Sequence, residues 1–178
     1  MSLAYDAMMF VREVHKDQVR KYTGEPYFMH LAEVAGIVAT VTDWDQIDPE
    51  VMIATAYLHD SMEDQQVTAE ELQEVLGVHG MSFQFHVVRG VILLSDFETG
   101  NRTERKAASR ERLANAPGWV QTIKCADLIS NTSSIVKHDP KFAVTYLEEK
   151  RLLLDVMTKA NSRLLELARS QIMQEMSI

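Results

Sequence analysis

The chain has 178 residues, a net charge of −8 at neutral pH and a pI near 5.2. This acidity argues against non-specific binding to nucleic acid, because such binding depends on basic residues that neutralise phosphates. With 46% hydrophobic and 25% charged residues, the composition is that of a globular protein large enough for a continuous core. It predicts a single domain over residues 1–178.

Cellular location is predicted from what the sequence lacks. The one cysteine, Cys125, cannot form an internal disulfide, and the first residues have neither the basic nor the apolar region of a signal peptide. No apolar run is long enough to span a bilayer. These features predict a cytoplasmic protein with no membrane partner, and they leave the oligomeric state open.

The first half of the chain predicts three helices. Apolar residues spaced near 3.6 indicate an amphipathic helix over residues 2–21, which Gly24 and Pro26 then break. A second helix over 27–41 is apolar on several sides, so we expect it to be central, with His30 in its first turn. The third helix begins at Asp48-Pro49-Glu50, where an N-cap aspartate precedes proline.

The third helix ends in an unusual concentration of polar residues. His59 and Asp60 follow a run of apolar residues and come shortly before Glu63 and Asp64. Burying charged side chains is costly unless they are paired or bound to a metal. The segment therefore indicates a functional site.

The rest of the chain also predicts helices, which makes the fold class all-α. A capping box at Thr68 opens a short helix, and Asp139-Pro140 repeats the pattern of cap and proline at the start of a long one. The helix over 102–115 is basic, and the next contains Asp127 within an apolar segment. We expect helices over residues 68–77, 81–94, 102–115, 119–131 and 140–173.

Four residues in otherwise apolar helices could bind one metal ion: His30, His59, Asp60 and Asp127. Two imidazoles and two carboxylates suit a divalent ion such as Mn, Fe, Zn or Mg, and they leave coordination positions open for water and a phosphate oxygen. A structural zinc site would more often use several cysteines. A metal lowers the pKa of bound water, so this donor set is typical of a hydrolase.

The order of these residues resembles that of the HD-domain phosphohydrolases, which implies an HD-type helical bundle. More narrowly, the chain resembles the hydrolase domain of the RelA/SpoT family and its small stand-alone relatives. Those proteins remove pyrophosphate from the 3′ position of guanosine tetra- and pentaphosphate (ppGpp and pppGpp). The resemblance rests on Gly24-Glu25-Pro26-Tyr27-Phe28-Met29-His30, His59-Asp60-Ser61-Met62-Glu63-Asp64 and Ala126-Asp127-Leu128-Ile129-Ser130-Asn131, together with His15-Lys16-Asp17-Gln18-Val19-Arg20-Lys21.

The resemblance also implies roles for individual residues and a guanine nucleotide as the small-molecule partner. The metal would be a single Mn²⁺, held by His30, His59, Asp60 and Asp127. Glu63 and Asp64 match the acidic pair that handles the attacking water. The residues that would face the nucleotide are Arg20, Lys21, Thr23 and Asn131.

Two departures from the family pattern leave the substrate open. Leu128 and Ser133 stand where relatives carry basic residues, although the basic helix with Arg102 could compensate. One alternative is the same hydrolysis of another phosphorylated nucleotide, such as the 2′-phosphate of NADPH or a nucleoside phosphate. Another is a nucleotide-binding HD module without catalysis. Since no synthetase region follows the hydrolase-like part, we expect degradation of the alarmone without its synthesis.

Overall fold

The computed structural model describes residues 2–43 and 45–177, and within them it confirms the all-α fold class. The N-terminal helices are α1 (Leu3–Val14), α2 (Tyr27–Ala39), α3 (Pro49–Leu58), α4 (Ser61–Gln65), α5 (Ala69–Leu76) and α6 (Met81–Leu94), with a 3₁₀ turn at Gly77–His79. The C-terminal helices are α7 (Arg102–Asn115), α8 (Gly118–His138), α9 (Pro140–Val156) and α10 (Ser162–Met176). Within the described residues, none of the helices is both long and apolar enough to cross a membrane.

Contacts divide the chain into two compact units, the N-terminal unit Met1–Phe97 and the C-terminal unit Glu98–Ile178. The N-terminal unit is organised around α3, which packs against α1, α2 and α6. Helix α1 contributes Leu3, Ala7 and Val11 to its core, a spacing that places one apolar stripe inward. In the C-terminal unit, α8 packs against both α9 and α10 and is buried over most of its length.

The predicted helix starts in the N-terminal unit are confirmed. The Asp48 side chain accepts a hydrogen bond from the Glu50 amide, with Pro49 at the first helical position. Thr68 and Glu71 form the predicted capping box at the start of α5. Both caps satisfy amides that the helix itself leaves without a partner, which is why local sequence was sufficient to find them.

The prediction that the first helix runs to residue 21 is wrong, because α1 ends at Val14. The following residues form a compact turn in which the amide of Arg20 donates to the Glu25 carbonyl at 2.8 Å and that of Tyr27 donates to the Gln18 carbonyl at 2.9 Å. Gly24 permits this turn by adopting a φ of +72°. The backbone hydrogen bonds therefore favour the turn over another helical turn.

The single helix predicted over residues 140–173 is also wrong, because the chain leaves the helix after Val156 and α10 begins at Ser162. The Asn161 side chain caps α10 by accepting from the amides of Arg163 and Leu164. Two residues of α8 hold the interruption in place. The Gln121 side chain accepts from the Lys159 amide and the Thr122 hydroxyl accepts from the Asn161 amide, each at 2.8 Å.

Candidate active site

Three of the predicted metal ligands lie together in the N-terminal unit. His30 belongs to the first turn of α2, and His59 and Asp60 follow the end of α3. The Oδ2 atom of Asp60 is 3.0 Å from His59 Nε2 and 3.7 Å from His30 Nε2. Both imidazoles are buried, and their rings meet edge to face with centroids 5.5 Å apart.

Hydrogen bonds orient two of these side chains, those of His59 and Asp60. The Nδ1 atom of His59 lies 2.8 Å from the Ala56 carbonyl, which can only accept, so Nδ1 carries the proton in this contact and Nε2 is the atom directed at Asp60. The hydroxyl of Tyr27 donates to Asp60 Oδ2 at 2.6 Å. A histidine whose second nitrogen is fixed in this way is typical of metal sites. The donor set therefore fits a divalent cation.

The acidic pair that follows is fixed by two different partners. Glu63 Oε2 accepts from the backbone amide of Asp96 at 2.9 Å, and Asp64 Oδ2 accepts from the side-chain amide of Gln18 at 2.8 Å. Both carboxylates belong to the first turn of α4 and are exposed to solvent. A cleft of about 610 Å³ lies beside Glu63; among the residues that line it are Met62, Gln66, Thr68, Ile92, Asp96 and Phe97.

His15 and Gln18 form a buried extension of this site. Gln18 Oε1 lies 2.6 Å from His15 Nδ1 and accepts from Gln65 Nε2, also at 2.6 Å. His15 is only 1% exposed, and this burial lowers its pKa, although the hydrogen bond to Gln18 acts in the opposite direction. His15 is therefore held by Gln18 in a buried position.

Three of the four residues predicted to face the nucleotide lie in the turn between α1 and α2. Arg20 Nη1 is 3.6 Å from Glu33 Oε2, and the Lys21 ammonium lies 5.0 Å from the centroid of the Tyr22 ring. Thr23 accepts a long hydrogen bond of 3.4 Å from the Glu25 amide. The turn thus places two cations on one short segment that leads directly into α2.

Asp127 and Asn131 lie on α8 in the C-terminal unit. The Asp127 carboxylate is 6% exposed; its Oδ2 is 2.8 Å from Lys124 Nζ, and its Oδ1 accepts from Asn131 Nδ2 at 2.7 Å. All three side chains come from one face of α8, because residues three and four apart are neighbours on a helix. Lys124 thus supplies a positive charge to a buried carboxylate.

Sequence reasoning missed the roles of Tyr27, Gln18 and Lys124. Tyr27 and Gln18 occur within the strings that carried the family resemblance, but their polar contacts join separate helices and turns. Lys124 could have been found from its spacing of three residues before Asp127.

The two departures from the family pattern have different environments in the C-terminal unit. Leu128 is 2% exposed and belongs to the core, whereas Ser133 is exposed. Arg102, on the predicted basic helix, forms two hydrogen bonds with the Glu149 carboxylate, which raise its pKa. That guanidinium therefore stabilises the pairing of α7 with α9.

The remaining cysteine and histidines have partners or burial that explain them. Cys125 is fully buried, and burial raises its pKa to about 12, which favours a neutral thiol in the core over a nucleophile. His79 contacts Asp6, while His86 and His138 bond to carbonyls one turn earlier in their own helices. These contacts give the four residues structural roles.

The fold and the cluster of His30, His59 and Asp60 define an all-α protein with a donor set for a divalent cation. The family model for the HD domain matches residues 7–140. The chain therefore belongs to the HD domain family, and the resemblance predicted from its motifs is confirmed.

Two relatives of this chain carry names that refer to guanine nucleotides. Over 138 residues the chain is 32% identical to a probable guanosine-3′,5′-bis(diphosphate) 3′-pyrophosphohydrolase of Synechocystis sp., covering 76% of the chain and 17% of that protein. Over 135 residues it is 35% identical to a GTP pyrophosphokinase of Myxococcus xanthus, covering 72% and 16%. The chain thus spans about a sixth of these two relatives.

Two comparisons extend over most of both chains. A Danio rerio protein named guanosine-3′,5′-bis(diphosphate) 3′-pyrophosphohydrolase MESH1 is 29% identical over 137 residues, which cover 76% of this chain and 71% of that protein. A solved structure described as a metazoan ortholog of SpoT that hydrolyses ppGpp has a TM-score of 0.82 at 22% identity. It covers 99% of this chain and 96% of its own. The structural similarity confirms the fold.

Proposed function

We propose that this chain is a metal-dependent pyrophosphohydrolase of ppGpp and pppGpp. The observation that carries the proposal is the cluster of His30, His59 and Asp60, in which two buried imidazoles approach one carboxylate oxygen. The names of the relatives supply the substrate class. We further propose that the two units act together as one domain over residues 1–178, since the HD family match extends from residue 7 to residue 140.

The metal that we propose is Mn²⁺, held by His30, His59, Asp60 and Asp127. When bound, such an ion would neutralise charge on the phosphoryl group and make water more acidic. Tyr27 and Ala56 support the proposal, because their hydrogen bonds fix the Asp60 carboxylate and the His59 ring. Asp127 is the proposed fourth ligand because it occupies the last position of the family's His…His-Asp…Asp order.

Glu63 and Asp64 would position the attacking water and accept its proton. Water adds to the phosphorus next to the ribose and the bond from that phosphorus to the 3′ oxygen breaks. The 3′ oxygen takes up a proton to become the ribose hydroxyl, and pyrophosphate is released. The products are GDP from ppGpp and GTP from pppGpp. Proton transfer by a positioned carboxylate typically contributes about 10²–10⁴-fold to the rate.

Arg20, Lys21, Thr23 and Asn131 are the residues that we propose contact the nucleotide. The two cations of the turn would attract the phosphates, and Thr23 and Asn131 would donate hydrogen bonds to phosphate or ribose oxygens. We propose that the protein acts in the cytoplasm on a small nucleotide and binds neither nucleic acid nor membrane.

The test is release of pyrophosphate from ppGpp by the purified protein with Mn²⁺, compared with the Glu63→Gln variant and with protein treated with EDTA. We expect GDP and pyrophosphate in equal amounts from the native protein, and a loss of about 10²–10⁴-fold in the variant. Glu74→Gln is the matched control, because Glu74 is an exposed residue of α5.

Two other results would replace the proposal. Leu128 is a buried apolar residue where relatives carry a basic one. The missing positive charge is the reason to test a second substrate. Orthophosphate released from NADPH, with none of the expected products from ppGpp, would assign a different phosphorylated substrate to the same site. Binding of ppGpp without release of any product would indicate a regulatory module.

A further inference from the structure

The side chain of Gln18 contacts three polar side chains of the N-terminal unit. Its Oε1 is 2.6 Å from both His15 Nδ1 and Gln65 Nε2, and its Nε2 donates to Asp64 Oδ2 at 2.8 Å. We propose that Gln18 is a positioning residue, which holds the Asp64 carboxylate in the orientation needed for hydrolysis. The inference rests on the proposed function and deepens it.

The contacts of Gln18 permit only one orientation of its amide. The side-chain nitrogen of Gln65 can only donate, so the Gln18 atom that faces it must be the oxygen. The nitrogen of Gln18 is then directed at Asp64, where a carboxylate can only accept. Rotating the amide by half a turn would place two donors against each other and two acceptors against each other.

His15 determines where this amide can lie. The ring is 1% exposed and stacks on Tyr27, with centroids 5.4 Å apart and planes 20° apart, so it has little freedom to move. Its Nδ1 faces the Gln18 oxygen and therefore carries a proton. Tyr27 in turn donates to Asp60. One connected set of side chains thus fixes both Asp64 and Asp60.

The other acidic residue of the pair has an independent partner. Glu63 accepts from the backbone amide of Asp96, which no side-chain substitution at Gln18 removes. A change at Gln18 therefore acts on Asp64 and leaves this contact of Glu63 in place. Because Asp64 and Glu63 have different partners, the effect of Gln18 on Asp64 can be measured by itself.

The decisive variant is Gln18→Glu, which keeps the shape of the side chain and replaces the donor facing Asp64 with a second carboxylate oxygen. We expect kcat for pyrophosphate release to fall about 10–100-fold, because a small displacement of a catalytic group has effects of that size. KM should stay within about two-fold, since none of the proposed nucleotide contacts changes. Gln46→Glu adds the same charge at an exposed position and should keep the native kcat.

A double variant distinguishes positioning from a general structural effect. If Gln18 acts through Asp64, then Gln18→Glu should cause little further loss when Asp64 is already asparagine. Equal fold-losses in the native and Asp64→Asn backgrounds would overturn the proposal. The proposal would also be overturned if the loss of kcat accompanies a lowered melting temperature and the native kcat returns when the assay is run at a lower temperature.

A crystal structure tests the orientation of Asp64 independently of any activity measurement. In a crystal structure of Gln18→Glu, the Asp64 carboxylate should have turned away from residue 18; an Asp64 in its native orientation would contradict the proposal. Should native protein release no pyrophosphate from ppGpp, the proposed function fails, while this measurement still tests the orientation. If Gln18→Glu does not fold, Gln18→Met, which removes the same hydrogen bonds without adding charge, takes its place in each experiment.

Discussion

The two units assemble their buried polar groups in opposite ways. In the N-terminal unit, His30 and the pair His59-Asp60 come from different helices and meet through tertiary packing. In the C-terminal unit, Lys124, Asp127 and Asn131 lie on one face of α8, at spacings of three and four residues. The first arrangement is specified by the packing of α2 on α3, and the second by the geometry of a single helix.

The charges of the two groups also differ. Asp60 is approached by two imidazoles and a phenol, side chains that can all be neutral, whereas Asp127 already has an ammonium group at 2.8 Å. We therefore expect substitutions in the N-terminal cluster to affect metal binding and activity first. Substitution of Lys124, which supplies that ammonium group, should affect the free energy of unfolding first.

The largest effect is expected for His59→Gln. Removing this imidazole should leave the purified protein without stoichiometric metal after dialysis and lower hydrolysis by about 10³-fold or more. Metal content by mass spectrometry and pyrophosphate release measure the two effects. His86→Gln is the control, since His86 is half-buried outside the cluster and bonds to the carbonyl of Ser82 in its own helix. Full metal content and activity in His59→Gln would contradict the expectation that the N-terminal cluster determines metal binding.

Lys124→Met should cause the next largest effect, on stability. It leaves the buried Asp127 carboxylate with the hydrogen bond from Asn131 but without its cation, and breaking such a buried pair costs about 3 kcal/mol or more. Denaturant unfolding measures this cost.

The matched control for Lys124→Met is Lys16→Met. Lys16 is also three residues from its acidic partner, Glu13, but that pair is exposed to solvent, so we expect the free energy of unfolding to change little. If Asp127 is a metal ligand as proposed, Mn²⁺ should raise the melting temperature of Lys124→Met more than that of native protein. If both variants lost a similar free energy of unfolding, burial of the pair between Lys124 and Asp127 would add nothing to stability.

Tyr27→Phe sharpens the comparison within the N-terminal unit. The variant keeps the ring that stacks on His15 and loses the hydroxyl that donates to Asp60 at 2.6 Å. Loss of a hydrogen bond to a metal ligand typically lowers metal affinity about 10–100-fold. Isothermal titration calorimetry with Mn²⁺ measures this affinity. Tyr5→Phe is the control, because Tyr5 is exposed on α1. An unchanged affinity would show that Tyr27 does not position Asp60.

The smallest effect is expected for Asn161→Ala in the C-terminal unit. The substitution removes the side chain that accepts from the amides of Arg163 and Leu164 at the start of α10, which should cost about 1 kcal/mol. Ser170→Ala, at an exposed position of the same helix, should be close to neutral. Equal stabilities for the two variants, measured by thermal unfolding, would mean that the cap does not hold the start of α10.

Much of the fold could be predicted from sequence because its signals are local. The caps at Asp48 and Thr68 bond to amides within their own first turn, and the apolar stripe of α1 repeats with the period of the helix. The motifs identified the polar residues that lie together in the N-terminal unit, because buried histidine and aspartate need partners. Periodicity and composition carried this information without any tertiary contact.

Tertiary structure alone decided where α9 ends and which groups hold the acidic residues. The chain between α9 and α10 is fixed by Gln121 and Thr122 of α8, and Asp64 is fixed by Gln18 from the turn after α1. These partners are far apart in the sequence, so no local pattern indicates their pairing. Their hydrogen bonds form only after hydrophobic packing has brought the helices together, and for that reason the sequence determined the elements while the packing determined the contacts.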